Sequence, residues 1–164
     1  MFIEDNEALS KENFDTLLKL TKNGGIEFTF SAHAVVVNDN GYHFLNEPLD
    51  RDGKRNKHYP FFKKILKSIL VKHNLKLKTI HRMAINITFN NGFVKEVPLH
   101  EDHPFPHKQC LLYLNDSTGT TDIPFYNKSI TPKTNKAILF ESKDHKHYFP
   151  DMGVRVVCVF TFST

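Results

Sequence analysis

The sequence predicts a mainly β fold, a sandwich or jelly roll buttressed by helices gathered near the N-terminus. Three observations predict it. Apolar and polar residues alternate through long stretches of the second half. The strand-like runs are short and separated by turn signals. Helical apolar spacing is confined to the first half.

Ser10 stands where it can cap a helix with apolar positions Phe14, Leu17 and Leu18, ending near Gly24 and Gly25. Residues 26–30 and 34–37 look extended. Pro60 opens a second helix, with Phe61, Phe62, Ile65, Leu66, Ile69 and Leu70 on one face and Lys63, Lys64 and Lys67 turned away. From about residue 80 the period becomes two: Met83, Ile85, Ile87 and Phe89 alternate with Arg82, Ala84, Asn86 and Thr88. Asn90-Asn91-Gly92 reads as a hairpin turn leading into a strand over 93–97. Further strands are expected over 109–114, 123–126, 137–141 and 154–162.

A chain of 164 residues is one domain with room for a real core. Its 40% hydrophobic and 24% charged residues are ordinary for a globular protein. Fifteen Phe, five Tyr and no Trp suit a β-rich core. Cys110 and Cys158 lie inside apolar runs and read as buried free thiols, which favours a reduced, cytoplasmic protein. No apolar run reaches membrane-spanning length, and the acidic first residues do not read as a signal peptide. The net charge of +4 is uneven. Residues 51–78 hold ten Lys and Arg against one acid, Asp52. Such a run is ordinarily a solvated helix face plus a loop; a nucleic acid or another polyanion is the partner it would otherwise serve.

The chemistry concentrates in Leu99-His100-Glu101-Asp102 and Asp144-His145-Lys146-His147, with Arg155 downstream. On an extended strand, His100 and Asp102 project to the same face. One imidazole and one carboxylate from one strand, with a second imidazole from another, make the facial triad of non-haem Fe(II) oxygenases. The third ligand is expected to be His147, which is followed by Tyr148-Phe149-Pro150, a turn at Gly153 and Arg155; His145 is the alternative. His103 and His107 flank Pro104-Phe105-Pro106 and read as rim residues of a loop. Two imidazoles and one carboxylate leave the metal with net positive charge and open positions for a chelating 2-oxo acid and O2. A planar guanidinium at Arg155 matches a distal carboxylate. The residues therefore point to Fe(II), 2-oxoglutarate and O2. The competing readings are a non-catalytic jelly-roll binding module, and a nucleic-acid-binding protein working through 51–78.

Several pieces, in order, carry a family resemblance: Arg82-Met83-Ala84-Ile85-Asn86, His100-Glu101-Asp102, Cys110-Leu111-Leu112-Tyr113-Leu114-Asn115, Gly119-Thr120-Thr121, Asn135-Lys136-Ala137-Ile138-Leu139-Phe140, then His147 and Arg155. In these, residues 80–162 resemble the Fe(II)/2-oxoglutarate-dependent dioxygenases, especially the prolyl-hydroxylase-like branch and its small phage-encoded members. The resemblance implies a double-stranded β-helix, a cupin-like jelly roll. It implies a single dioxygenase domain over 1–164, with 1–79 as helical and strand support and 80–164 as the jelly-roll core. It implies that His100, Asp102 and His147 bind iron and that Arg155 and Tyr113 bind 2-oxoglutarate. It also implies a hydroxylase releasing succinate and CO2, acting on a substrate such as a prolyl or other protein side chain, in a host cytoplasm if viral. Asn86 and Arg82 are expected to reach the cavity. The chain departs from the family in having Glu141 after Phe140, and in a spacing of ten to Arg155 from His145 but a shorter one from His147.

Overall fold

The computed structural model describes residues 1–34 and 39–164. In chain order the elements are β1 (Phe2–Asp5), α1 (Lys11–Lys22), β2 (Thr29–Ser31), β3 (His43–Leu49), α2 (Tyr59–Lys72), β4 (Thr79–Phe89), β5 (Lys108–Tyr113), β6 (Thr121–Ile123), a 3-10 turn (Pro124–Tyr126), β7 (Lys128–Ile130), β8 (Lys136–Glu141), β9 (Lys146–His147) and β10 (Val154–Ser163). Both expected helices form. The Ser10 side chain accepts from the backbone N–H of Asn13, closing the N-terminus of α1. Pro60 sits in the first turn of α2, where a missing N–H costs nothing.

The strands form two antiparallel sheets, the double-stranded β-helix. The larger runs β1-β8-β5-β10-β4-β3-β2 and the smaller β7-β6-β9. The first 79 residues thus contribute three strands to the main sheet as well as the two helices. Alternation then gives that sheet two different faces. On the outer face Met83, Ile85, Cys110, Leu112, Leu139, Cys158 and Phe160 pack with Leu17 of α1 and with Phe62, Ile65, Leu66, Ile69 and Leu70 of α2. On the inner face Ala84, Leu111, Tyr113, Ile138, Phe140, Val157 and Val159 meet Ile123 and Ile130 of the small sheet. Cys110 and Cys158 are buried free thiols.

Several expectations are corrected. Residues 93–97 do not fold back on β4. The Asn90 and Asn91 side chains accept from the N–H groups of Gly92 and Phe93, and Gly92 adopts φ +73°. The chain then crosses to the other sheet, where Val97 N–H donates to the His147 carbonyl. The strand expected over 123–126 starts earlier and ends as a 3-10 turn, because Pro124 has no N–H for a ladder. β1, β3 and β7 are strands that apolar alternation does not announce. The expected extended run over 34–37 lies largely outside the described residues.

Candidate active site

The inner faces of the two sheets enclose, at one end, a cavity of about 560 Å³. His100, Asp102, His145, His147 and Arg155 all line it, as do Arg82 and Asn86 of β4. His100 is not inside a long strand. It makes a single antiparallel bridge with His145, each backbone N–H donating to the other's carbonyl at 3.0 Å. That bridge sets the two imidazoles with ring centroids 4.5 Å apart.

Both rings are oriented from behind. Nδ1 of His100 lies 2.8 Å from the Pro98 carbonyl and Nδ1 of His145 lies 3.2 Å from the Lys143 carbonyl. A carbonyl only accepts, so Nδ1 carries the proton in each ring and Nε2 keeps its lone pair, as in orienting shells around metal-bound histidines. His145 Nε2 stands 3.9 Å from Asp102 Oδ2. Burial holds the His145 imidazole down at about 4, against the pull of Asp102, so the ring is neutral near pH 7. Burial pushes the Asp102 carboxyl up, but His145, Arg82, His100 and Arg51 outweigh it and keep the group ionised.

The Asp102 carboxylate is well held. Gln109 Nε2 donates to Oδ2, Arg51 Nη2 to Oδ1 at 3.3 Å, and Arg82 Nη1 lies 3.7 Å from Oδ1. Arg82 in turn donates Nε–H to Glu47 at 2.8 Å. Among the described residues no three His, Cys, Asp or Glu side chains are already drawn together as a metal cage. The reason lies in this shell: the carboxylate oxygens face guanidinium and amide donors. The donor set itself, two imidazoles and one carboxylate, is the one an Fe(II) site requires.

His147 occupies a different place. It lies in β9, two residues beyond His145, and pairs with Thr121 of β6. Its Nε2 is buried and has no hydrogen-bond partner among the described residues. Burial, reinforced by Arg155, lowers its imidazole well below the ordinary value.

Arg155 is 2% exposed, and no carboxylate among the described residues pairs with it. Its Nη2 donates to Thr121 Oγ1 at 2.9 Å, while Nε is buried without a partner. Tyr113, fully buried, donates its hydroxyl to the same Thr121 oxygen at 2.9 Å. Burial raises the Tyr113 phenol and lowers the Arg155 guanidinium, and each partly restores the other. Thr121 thus accepts from both and keeps its own O–H free to donate. Sequence reasoning named Tyr113 and Arg155 but not Thr121, although Gly119-Thr120-Thr121 was the signal. A Cβ at Gly119 would come 3.2 Å from Arg155 Cδ and collide with the Tyr148 carbonyl, so that turn needs glycine.

His103 and His107 are not rim residues. They are 8% and 5% exposed: the His103 ring stacks on Phe105 and meets His81 and His107 edge-on, and His103 Nε2 meets Thr161 Oγ1 at 2.7 Å. The two prolines make a loop, as expected, but that loop folds inward.

No protein-family model and no curated protein matches the sequence. Solved structures do match the fold. A 2-oxoglutarate-Fe(II) oxygenase-family oxidoreductase from Burkholderia pseudomallei superposes with TM-score 0.76 at 13% identity, over 99% of this chain and 84% of that one. A prolyl hydroxylase from Trichoplax adhaerens, solved with a peptide fragment of the hypoxia inducible factor oxygen degradation domain, gives 0.67 at 16% identity, over 99% and 83%. A viral collagen prolyl hydroxylase from Paramecium Bursaria Chlorella virus-1, solved with 2-oxoglutarate, gives 0.63 at 14% identity, over 99% and 96%. The chain has the fold of the 2-oxoglutarate/Fe(II) oxygenases. At these identities the fold is what is shared, and the chemistry rests on the residues above. Among the described residues no helix is long and apolar enough to cross a membrane.

Proposed function

We propose that the protein is an Fe(II)- and 2-oxoglutarate-dependent oxygenase that hydroxylates its substrate with release of succinate and CO2. The observation that carries the reading is Arg155. An isolated buried cation is unfavourable without a countercharge. This one has none among the described residues and faces the cavity that holds His100, Asp102 and His145. A dicarboxylate supplies the missing charge, and the metal takes its other end.

In this reading His100, Asp102 and His145 hold the metal. The sequence alone favours His147 as third ligand. The contact with Asp102, the oriented Nδ1 and the bridge to His100 support His145. When bound, Fe(II) supplies chelation of the 2-oxo acid and the activation of O2. The protein's part is positioning: Arg155, with Tyr113 and Thr121 behind it, fixes the far carboxylate, while Arg51, Arg82 and Gln109 steady Asp102. The Trichoplax protein was solved with a peptide; a peptidyl side chain such as proline is the substrate class we assign by that likeness.

Titration of Mn(II) into the apoprotein, followed calorimetrically, tests the ligand set. His100→Ala, Asp102→Ala and His145→Ala should each lose the single high-affinity site, and His147→Ala should keep it. The reverse outcome for His145 and His147 makes His147 the ligand. Anaerobic Fe(II) with 2-oxoglutarate should give a weak visible charge-transfer band; its absence in metal-loaded protein rejects the co-substrate.

A further inference from the structure

We infer that His147 is a binding residue for the distal carboxylate of the co-substrate, donating from Nε2 beside Arg155. The inference rests on the reading above, in which His145 is the metal ligand. Along a β-strand, side chains two residues apart share a face and stand about 6.8 Å apart. The extended segment from the His145 bridge into β9 obeys this: Lys146 turns away to pair with Glu96, and His145 and His147 both line the cavity. The step from His145 to His147 therefore runs from the metal end of the cavity toward its cationic end. That is the span an extended five-carbon diacid has to cover.

The cationic end is incomplete without it. Thr121, the partner of His147 across the β6–β9 ladder, already accepts from Arg155 and Tyr113. Arg155 Nε and His147 Nε2 are both buried and both without a hydrogen-bond partner among the described residues. Two buried nitrogens on residues lining one cavity, neither with an acceptor among the described residues, are a costly arrangement in a protein interior. One carboxylate resolves it, with one oxygen toward the guanidinium and the other shared by the imidazole N–H and the Thr121 hydroxyl. Among the described residues no hydrogen bond orients His147 Nδ1 as Pro98 and Lys143 orient the other two rings, so the ring is free to present Nε2–H rather than a metal-binding lone pair.

The test compares two 2-oxo acids on Mn(II)-loaded protein. 2-Oxoglutarate carries the distal carboxylate; 2-oxovalerate has a methyl group in its place. His147→Phe, which keeps the ring and loses the donor, should weaken 2-oxoglutarate by about 10- to 100-fold, the usual worth of a hydrogen bond to a charged group. It should leave 2-oxovalerate and Mn(II) affinities unchanged. His147→Gln, which restores an N–H donor, should recover most of the loss. Equal weakening of both acids, or no change in either, overturns the inference and leaves the proposed function standing. Loss of Mn(II) binding in His147→Phe and His147→Gln, with retention in His145→Ala, overturns the inference and makes His147 the metal ligand.

Discussion

The two faces of β10 show how one strand is divided between stability and chemistry. Cys158 and Phe160 point outward into the apolar cluster formed with α1 and α2. Arg155 and Thr161 point inward, where Arg155 lies buried against Thr121 and Tyr113 and Thr161 holds His103. The outer face gains free energy from area removed from water. Part of the inner face loses it, because it keeps a guanidinium and several imidazoles dry with incomplete partners. The inner arrangement persists because the outer one over-determines the backbone. Strain and unpaired charge gather at functional sites in this way.

The largest effect should come from breaking the outer face. Phe160→Ala removes a fully buried ring between β10 and Phe62 of α2, whose centroids are 6.5 Å apart. We expect a loss of about 3–5 kcal/mol in unfolding free energy, measured by urea denaturation. A loss under about 1 kcal/mol means the helix layer does not carry the sheet.

Arg155 should behave in the opposite sense. Arg155→Met keeps the stem and removes the buried charge, so the apoprotein should be unchanged or more stable by roughly 1–4 kcal/mol. The same change should weaken 2-oxoglutarate binding by about 2–5 kcal/mol, some 30- to several-thousand-fold, with metal affinity nearly unchanged. A variant that is both less stable and fully able to bind the co-substrate shows Arg155 to be a structural cation.

The smallest effect is a pH dependence. Burial, with Arg51 and His107 nearby, pushes the His103 imidazole down to about 4. It is therefore neutral in the fold at pH values where the unfolded chain, titrating near 6.5, already takes up a proton. Stability should be full above about 6.5 and decline as pH falls toward about 4. His103→Asn should flatten that decline between the two values, with the neighbouring histidines leaving a remainder. An unchanged slope means that His103 titrates normally and is open to water.

How much of this the sequence announced depended on the range of the interactions involved. α1 and α2 were legible because capping by Ser10, the position of Pro60 and the apolar spacing are local facts. β4, β5, β8 and β10 were legible because burial on at least one face writes itself as apolar residues. β1 and β3 were not, since Phe2–Asp5 and His43–Leu49 are extended mainly through pairing with β8 and β4, far away in the chain. Asn90-Asn91-Gly92 carried a true turn signal, but nothing local said which sheet residues 93–97 join next. For the candidate site, the residue types and their order were in the sequence: His100, Asp102, Tyr113, His145, His147 and Arg155. Their division of labour was not. A spacing of two puts His145 and His147 on one face and stops there. Only the bridge to His100 brings the His145 ring to Asp102, and only the β6 pairing carries His147 to Thr121 and Arg155. Sequence periodicity sets which way a side chain faces; the long-range register of two sheets sets what it meets.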